Sequence, residues 1–166
     1  VFLSSGNDAR DLRDRVEKIF RAASEILGIR NSPIRIDINR WEHHASQRVP
    51  RGRVNDQFVA EAKKATMTVA LLLQDLRPGT LAELQAVLTQ TDRSVAVLWF
   101  RQPGEPASDA LRRFLDRWQN QLLYNEVGDP DDETAWLGLV RVLVDFLVKI
   151  VHDELDASQE IFYETR

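Results

Sequence analysis

Apolar residues along this 166-residue chain follow two periods, near 3.6 and near 2, and the two alternate from one end to the other. Val1-Phe2-Leu3 opens a short strand, which the turn-forming run Ser4-Ser5-Gly6-Asn7-Asp8 stops. From Asp8 onward, Leu12, Val16, Ile19, Phe20, Ala23, Ile26 and Leu27 recur at helical spacing, and Gly28 is a natural helix stop. Ile34-Arg35-Ile36-Asp37-Ile38 alternates, as a half-exposed edge strand does. A polar loop from Trp41 to Gly52 follows, and Val54, Phe58, Ala62 and Ala65 mark a short second helix. Thr68–Leu73 and Ser94–Phe100 are apolar on both faces and belong at the centre of a sheet. Between them, Leu81, Leu84, Val87 and Leu88 define a third helix. A fourth carries Leu111, Phe114, Leu115 and Trp118, and a fifth strand begins near Leu122. The last helix starts around Asp131, with Trp136, Leu139, Val140, Leu143, Phe146, Leu147, Ile150 and Val151 facing inward. Residues 1–155 form one domain in this reading, and 156–166 a polar, loosely held tail.

Strands that alternate with helices build a parallel sheet with helices on both faces. Five strands suit a flavodoxin-like three-layer α/β sandwich of strand order 2-1-3-4-5, whose switch point lies between strands 1 and 3. Two loops then meet at one sheet edge, Ser4-Ser5-Gly6 after strand 1 and Gln74–Thr80 after strand 3. In such folds this edge binds ligands.

Composition narrows the range of functions. The apolar share of 43% and charged share of 29% are those of an ordinary globular domain. A net charge of −4 points away from direct nucleic-acid or membrane-surface binding. The absence of cysteine removes disulfides and thiolate metal sites and fits a reducing, cytoplasmic compartment. No apolar run is long enough to span a membrane. The chain opens directly on a strand without Met, so further domains of a longer polypeptide are expected.

The chemistry-bearing residues gather at the switch point. Exposed backbone N–H groups there favour anions, Ser4, Ser5 and Thr80 add hydroxyls, and Arg77 adds a cation. After the Pro78-Gly79 break, Thr80 is placed to cap a helix, and Glu83 follows in its first turn. That spacing is a capping box. It also sets a carboxylate at the margin of the Leu81/Leu84/Leu88 stripe, able to look into a cleft, bind ribose hydroxyls and stabilise positive charge as a glycosidic bond breaks. His43-His44 lack the convergent ligands of a metal centre, so no metal is expected. Arg48, Arg51 and Arg53 read as a solvated loop, and Trp99, Trp118 and Trp136 as core. No Walker loop, G-x-G-x-x-G or G-x-S-x-G motif is present.

Several of these segments resemble TIR (Toll/interleukin-receptor) and TIR-like bacterial domains. They are Val1-Phe2-Leu3-Ser4-Ser5 before an Asp/Arg-rich helix, Arg40-Trp41-Glu42 at the end of strand 2, Ala65-Thr66 entering strand 3, and the Gly79-Thr80-x-x-Glu83-Leu84 helix start. The likeness covers roughly residues 1–100 by motif and the remainder by element order. It implies an NAD⁺-consuming enzyme in which Glu83 is the residue essential for nicotinamide release, with Glu42 a second carboxylate at the same end. NAD⁺ would be substrate, with no cofactor required, its pyrophosphate near Ser4, Ser5, Gly6 and Arg77 and a ring stacked on Trp41. It further implies self-association with other TIR domains and a role in bacterial antiviral defence or signalling. Many TIR domains only bind one another, so a non-catalytic interaction module is the alternative. Nucleoside deoxyribosyltransferases place a Glu similarly, which makes a nucleoside- or nucleotide-processing transferase a third reading. The loop after strand 2 does not match the animal-receptor pattern, which points away from receptor-style signalling.

Overall fold

The computed structural model describes residues 1–29, 35–40, 54–90, 94–101, 104–118, 120 and 123–164. Five strands, β1 (Phe2–Ser5), β2 (Asn39–Arg40), β3 (Met67–Leu72), β4 (Ser94–Trp99) and β5 (Leu123–Glu126), form one sheet of order β2-β1-β3-β4-β5, every pair parallel. The helices are α1 (Arg10–Ile29), α2 (Val54–Lys64), α3 (Pro78–Leu88), α4 (Asp109–Trp118) and α5 (Glu133–Glu164), with a 3-10 turn, Asn7–Ala9, leading into α1. This is the flavodoxin-like arrangement expected from the alternating pattern.

Strand side chains alternate between two cores. Leu3, Val69, Leu71, Ala96 and Leu98 pack against α1 and α5. Phe2, Ala70, Leu72, Val95 and Val97 pack against α2, α3 and α4. β3 is buried at all six positions, as its unbroken apolar sequence requires. Full burial of each Leu, Val or Phe contributes roughly 1.5–3 kcal/mol, before the opposing chain entropy. Trp136 anchors α5: its Nε1 donates to Pro130 O at 2.7 Å, and its ring lies 5.3 Å from that of Phe100.

Three expectations about element boundaries change, and one about burial. The second strand is not Ile34–Ile38 but Asn39–Arg40, since only these two residues pair with Phe2 and Leu3. An edge strand has one neighbour, so alternation alone does not fix where its pairing begins. Gly28 does not end the first helix, which runs to Ile29. Ile26, assigned to the inward stripe, is 55% exposed. No break marks residue 156, because α5 is continuous to Glu164.

β2 is held from below by charge. Arg40 Nη1 donates to Glu17 Oε2 at 2.7 Å and to Asp14 Oδ1 at 2.6 Å, with Arg40 and Glu17 both buried. Burial alone would raise the Glu17 carboxyl, but the hydrogen bonds and charges of Arg40 and Arg21 outweigh it and hold the group below its usual range.

Candidate functional site

A cleft of about 450 Å³ opens at the switch point, lined by Ser5, Gly6, Asn7, Asp8, Asn55, Phe58, Arg77, Gly79, Thr80 and Glu83. The loops after β1 and β3 meet there, as the topology predicts, and the start of α2 closes one side.

Its centre is built by two consecutive serines on one strand. Because side chains alternate along β1, Ser4 points into the α2/α3 layer and Ser5 into the α1 layer. Ser4 Oγ donates a hydrogen bond to Glu83 Oε2 of α3. Arg13 of α1, fully buried, donates from Nη1 to Ser5 Oγ and to Gly6 O, the latter at 2.6 Å. Each serine therefore ties one helix layer to the sheet edge that forms the cleft floor. A Cβ at Gly6 would displace the Asp8 carboxylate and lie 3.0 Å from Arg77 Cγ, so a side chain there would crowd the cleft wall.

Glu83 does not form a capping box. The cap of α3 is Arg77, in extended backbone with φ −64° and ψ 145°, and Pro78 is the first helical residue. Proline lacks an N–H that would need a partner and has its φ already set for a helix. It also holds the residue before it extended. The helix thus begins before Thr80, and Leu81 N bonds Arg77 O at 2.9 Å. Thr80 is buried inside the helix, and Glu83 falls in its second turn, away from the unpaired N–H groups. The residue is only 8% exposed. Burial raises its pKa to about 7, and the Ser4 hydrogen bond only partly opposes that shift.

The remaining charges are loosely held. Arg77 lies 3.9 Å from Asp8 and 3.5 Å from Asp75 and is half exposed. Pairs this long and wet contribute less than about 1 kcal/mol, so the guanidinium can turn to a ligand at little cost.

Of the expected site residues, the cleft brings together Ser5, Gly6, Arg77, Thr80 and Glu83. Ser4 sits behind Glu83, 1% exposed, and orients the carboxyl instead of facing the cleft. Trp41, Glu42, His43, His44, Arg48, Arg51 and Arg53 lie outside the described residues. Sequence reasoning missed Asn7, Asp8, Arg13 and Asn55, and took Phe58 as core alone. Phe58 does join the core, and it also lines the cleft. Asn55 precedes it by one helical turn, which puts both on the same face of α2. Arg13 follows the buried Ala9 by four residues and precedes Val16 and Phe20, a cation on a helix's inner stripe that was open to notice. Among the described residues, no three His, Asp or Glu side chains gather as a metal site, and no helix is long and apolar enough to cross a membrane.

No protein-family model matches this chain, and no curated protein matches it. Among solved structures, rubredoxin oxygen:oxidoreductase from the anaerobe Desulfovibrio gigas is similar over 93% of this chain, with 11% identity and a TM-score of 0.49. This chain spans 36% of that protein. The fold assignment rests on the order and direction of the strands themselves.

Proposed function

We propose that this chain is a TIR-like NAD⁺ glycohydrolase in which Glu83 stabilises the ribosyl cation formed as nicotinamide leaves. The observation that carries this reading is a carboxyl buried at the edge of a nucleotide-sized cleft, at the sheet's switch point, with its pKa raised to about 7. Strongly shifted carboxyls in clefts are enriched at catalytic sites. Around it the cleft offers amide, hydroxyl and carboxylate groups suited to sugar hydroxyls, and Phe58 offers an aromatic surface.

In the proposed reaction the bond between ribose C1′ and the pyridinium nitrogen breaks, and its electron pair neutralises the leaving nicotinamide. Positive charge then develops on the sugar, where the ionised Glu83 opposes it. Water adds at C1′ and releases a proton to solvent, giving ADP-ribose; an internal nucleophile in place of water gives a cyclic product. The cationic pyridinium itself favours the ionised carboxyl. Arg77, held only by weak pairs, supplies charge for the pyrophosphate. Ser4 is better placed to aim Glu83 than to touch substrate. A cytoplasmic role in bacterial defence, with activation by assembly of neighbouring copies, follows from the family resemblance and forms part of the same proposal.

The test is release of nicotinamide from NAD⁺, followed by chromatography with purified protein under crowding. Glu83→Gln is expected to lower the rate by about 100-fold or more, the scale of losing a main transition-state contact, with circular dichroism unchanged. Equal rates in the two proteins would remove Glu83 from the chemistry. A wild type silent in every assembly state would favour the interaction module, and base exchange with nucleosides would favour the transferase.

A further inference from the structure

The first turn of α3 opens on the cleft with its polar groups unused. Pro78 has no N–H to place, and Leu81 N is the first in the helix to find a partner, Arg77 O. Between them, the N–H groups of Gly79 and Thr80 bond nothing among the described residues, and the cap residue Arg77 offers no side-chain acceptor. Both residues line the cleft. Thr80 is 3% exposed, yet no group among the described residues hydrogen-bonds its hydroxyl. Unlike the Thr68 hydroxyl, which is sealed inside β3, this one stays open to the cleft. A helical threonine can return its hydroxyl to the carbonyl of the preceding turn. Thr80 instead leaves its own aimed into the cleft, and a hydroxyl buried that way calls for a partner from outside the fold.

Donors surround this end of the cleft. The start of an 11-residue helix carries positive partial charge. Asn55 of α2 stands over it: a Cβ on Gly79 would lie 3.7–3.9 Å from the Asn55 carboxamide, whose amino group adds a further donor. Arg77 is half exposed beside them and held only by pairs of 3.5 and 3.9 Å. Asp8, from the turn after β1, is the competing anion, and at 3.9 Å it holds the guanidinium less closely than a phosphate oxygen can. Backbone N–H groups, an amino group and a guanidinium can only donate. An anion with several oxygens satisfies them together, whereas a single sugar hydroxyl does not.

We propose that the first turn of α3 holds the 5′-phosphate of the ribose whose glycosidic bond breaks at Glu83. The substrate class is then a pyridinium nucleoside carrying a 5′-phosphate or its diphosphate ester, and the bare nucleoside is a poor substrate. Thr80 and Glu83 stand three residues apart on one helix face, with about 5–6 Å between their Cβ atoms. C1′ and the 5′-phosphorus of a ribosyl phosphate are separated by a comparable span, so one ligand reaches both. Binding at the phosphate, away from the bond that breaks, holds C1′ against the carboxyl and spends no contact on the reacting atoms themselves. The claim about substrate rests on the glycohydrolase reading; the anion site does not.

Two independent readouts test this. In amide NMR spectra of the isotope-labelled protein, added pyrophosphate is expected to shift the Gly79 and Thr80 resonances. Thr80→Val keeps the side chain's shape and is expected to weaken that binding about 10-fold, the scale of one hydrogen bond to a charged group. Because the hydroxyl has no partner in the fold, the variant should be at least as stable as the parent in urea. In turnover, nicotinamide mononucleotide is expected to show a kcat/KM about 10-fold or more above that of nicotinamide riboside, and Thr80→Val to raise KM for the mononucleotide with kcat kept. Amides that ignore pyrophosphate would overturn the site, as would a Thr80→Val protein that binds it equally well. A clear loss of stability in that variant would assign the hydroxyl to the fold and overturn it too. Equal use of riboside and mononucleotide by a Glu83-dependent enzyme would overturn phosphate recognition and leave the glycohydrolase reading standing. Silence toward both substrates, with the amide response intact, would sink the reaction and keep the anion site.

Discussion

Glu83 destabilises the fold whenever it is ionised, because its carboxyl must leave water to reach its place against Ser4. In the unfolded chain it titrates near its ordinary value of 4.5, and in the native protein near 7. Between those values the native state keeps a proton that the unfolded state has released, so stability falls as pH rises through this window and levels off above it. The full effect is on the order of 3 kcal/mol. Glu83→Gln resembles the protonated side chain and accepts the same hydrogen bond. Thermal unfolding is therefore expected to show the variant more stable than the parent at pH 8 and no different at pH 4; equal stability at pH 8 would mean the carboxyl is not buried in solution. Ser4→Ala removes the hydrogen bond that favours the charged form. The rise of kcat/KM with pH, expected near 7 in the parent, should move to higher pH in that variant; an unmoved midpoint would show that Ser4 does not set the ionisation. The sequence named Glu83 as the acid, yet it could not give these properties. Burial and the Ser4 partner depend on where α3 lies over β1, which no local pattern encodes.

At the scale of elements, small features decide where chemistry points. Pro78 starts α3 before Thr80, which moves Glu83 out of capping range and turns it towards β1. Reading Thr80 as the cap followed a sound local rule, but the proline outweighs it because it needs no N–H partner. The strand period sends Ser4 and Ser5 to opposite helix layers, and that alternation was legible from the sequence even though their partners Glu83 and Arg13 were not. β2 is the weakest element, two paired residues at an edge, and it depends on the buried Arg40–Glu17 pair. Removing one side of a buried pair costs about 3–5 kcal/mol when the other charge is left uncompensated, and roughly half that here, because Arg21 still bonds Glu17 once Arg40 is gone. Arg40→Ala is expected to lower stability by that amount in urea unfolding. A loss under about 1 kcal/mol would assign the anchoring of β2 to its backbone pairing alone.

Over the whole molecule, the sequence by itself determined the layer architecture, the strand order and the meeting of two loops at one edge. Those follow from hydrophobic period and from the handedness of parallel crossovers, which are properties of neighbours along the chain. It also held a second apolar stripe on α5, with Leu137, Val144 and Val148, though an apolar position reads the same whether it ends buried or exposed. Only the tertiary structure decided which stripe faces the sheet and which is left outside. It likewise decided that a carboxyl near the start of one helix is dehydrated against the end of a distant strand. Burial is set by what arrives from elsewhere in the chain, and the free energy of a charge is set by burial.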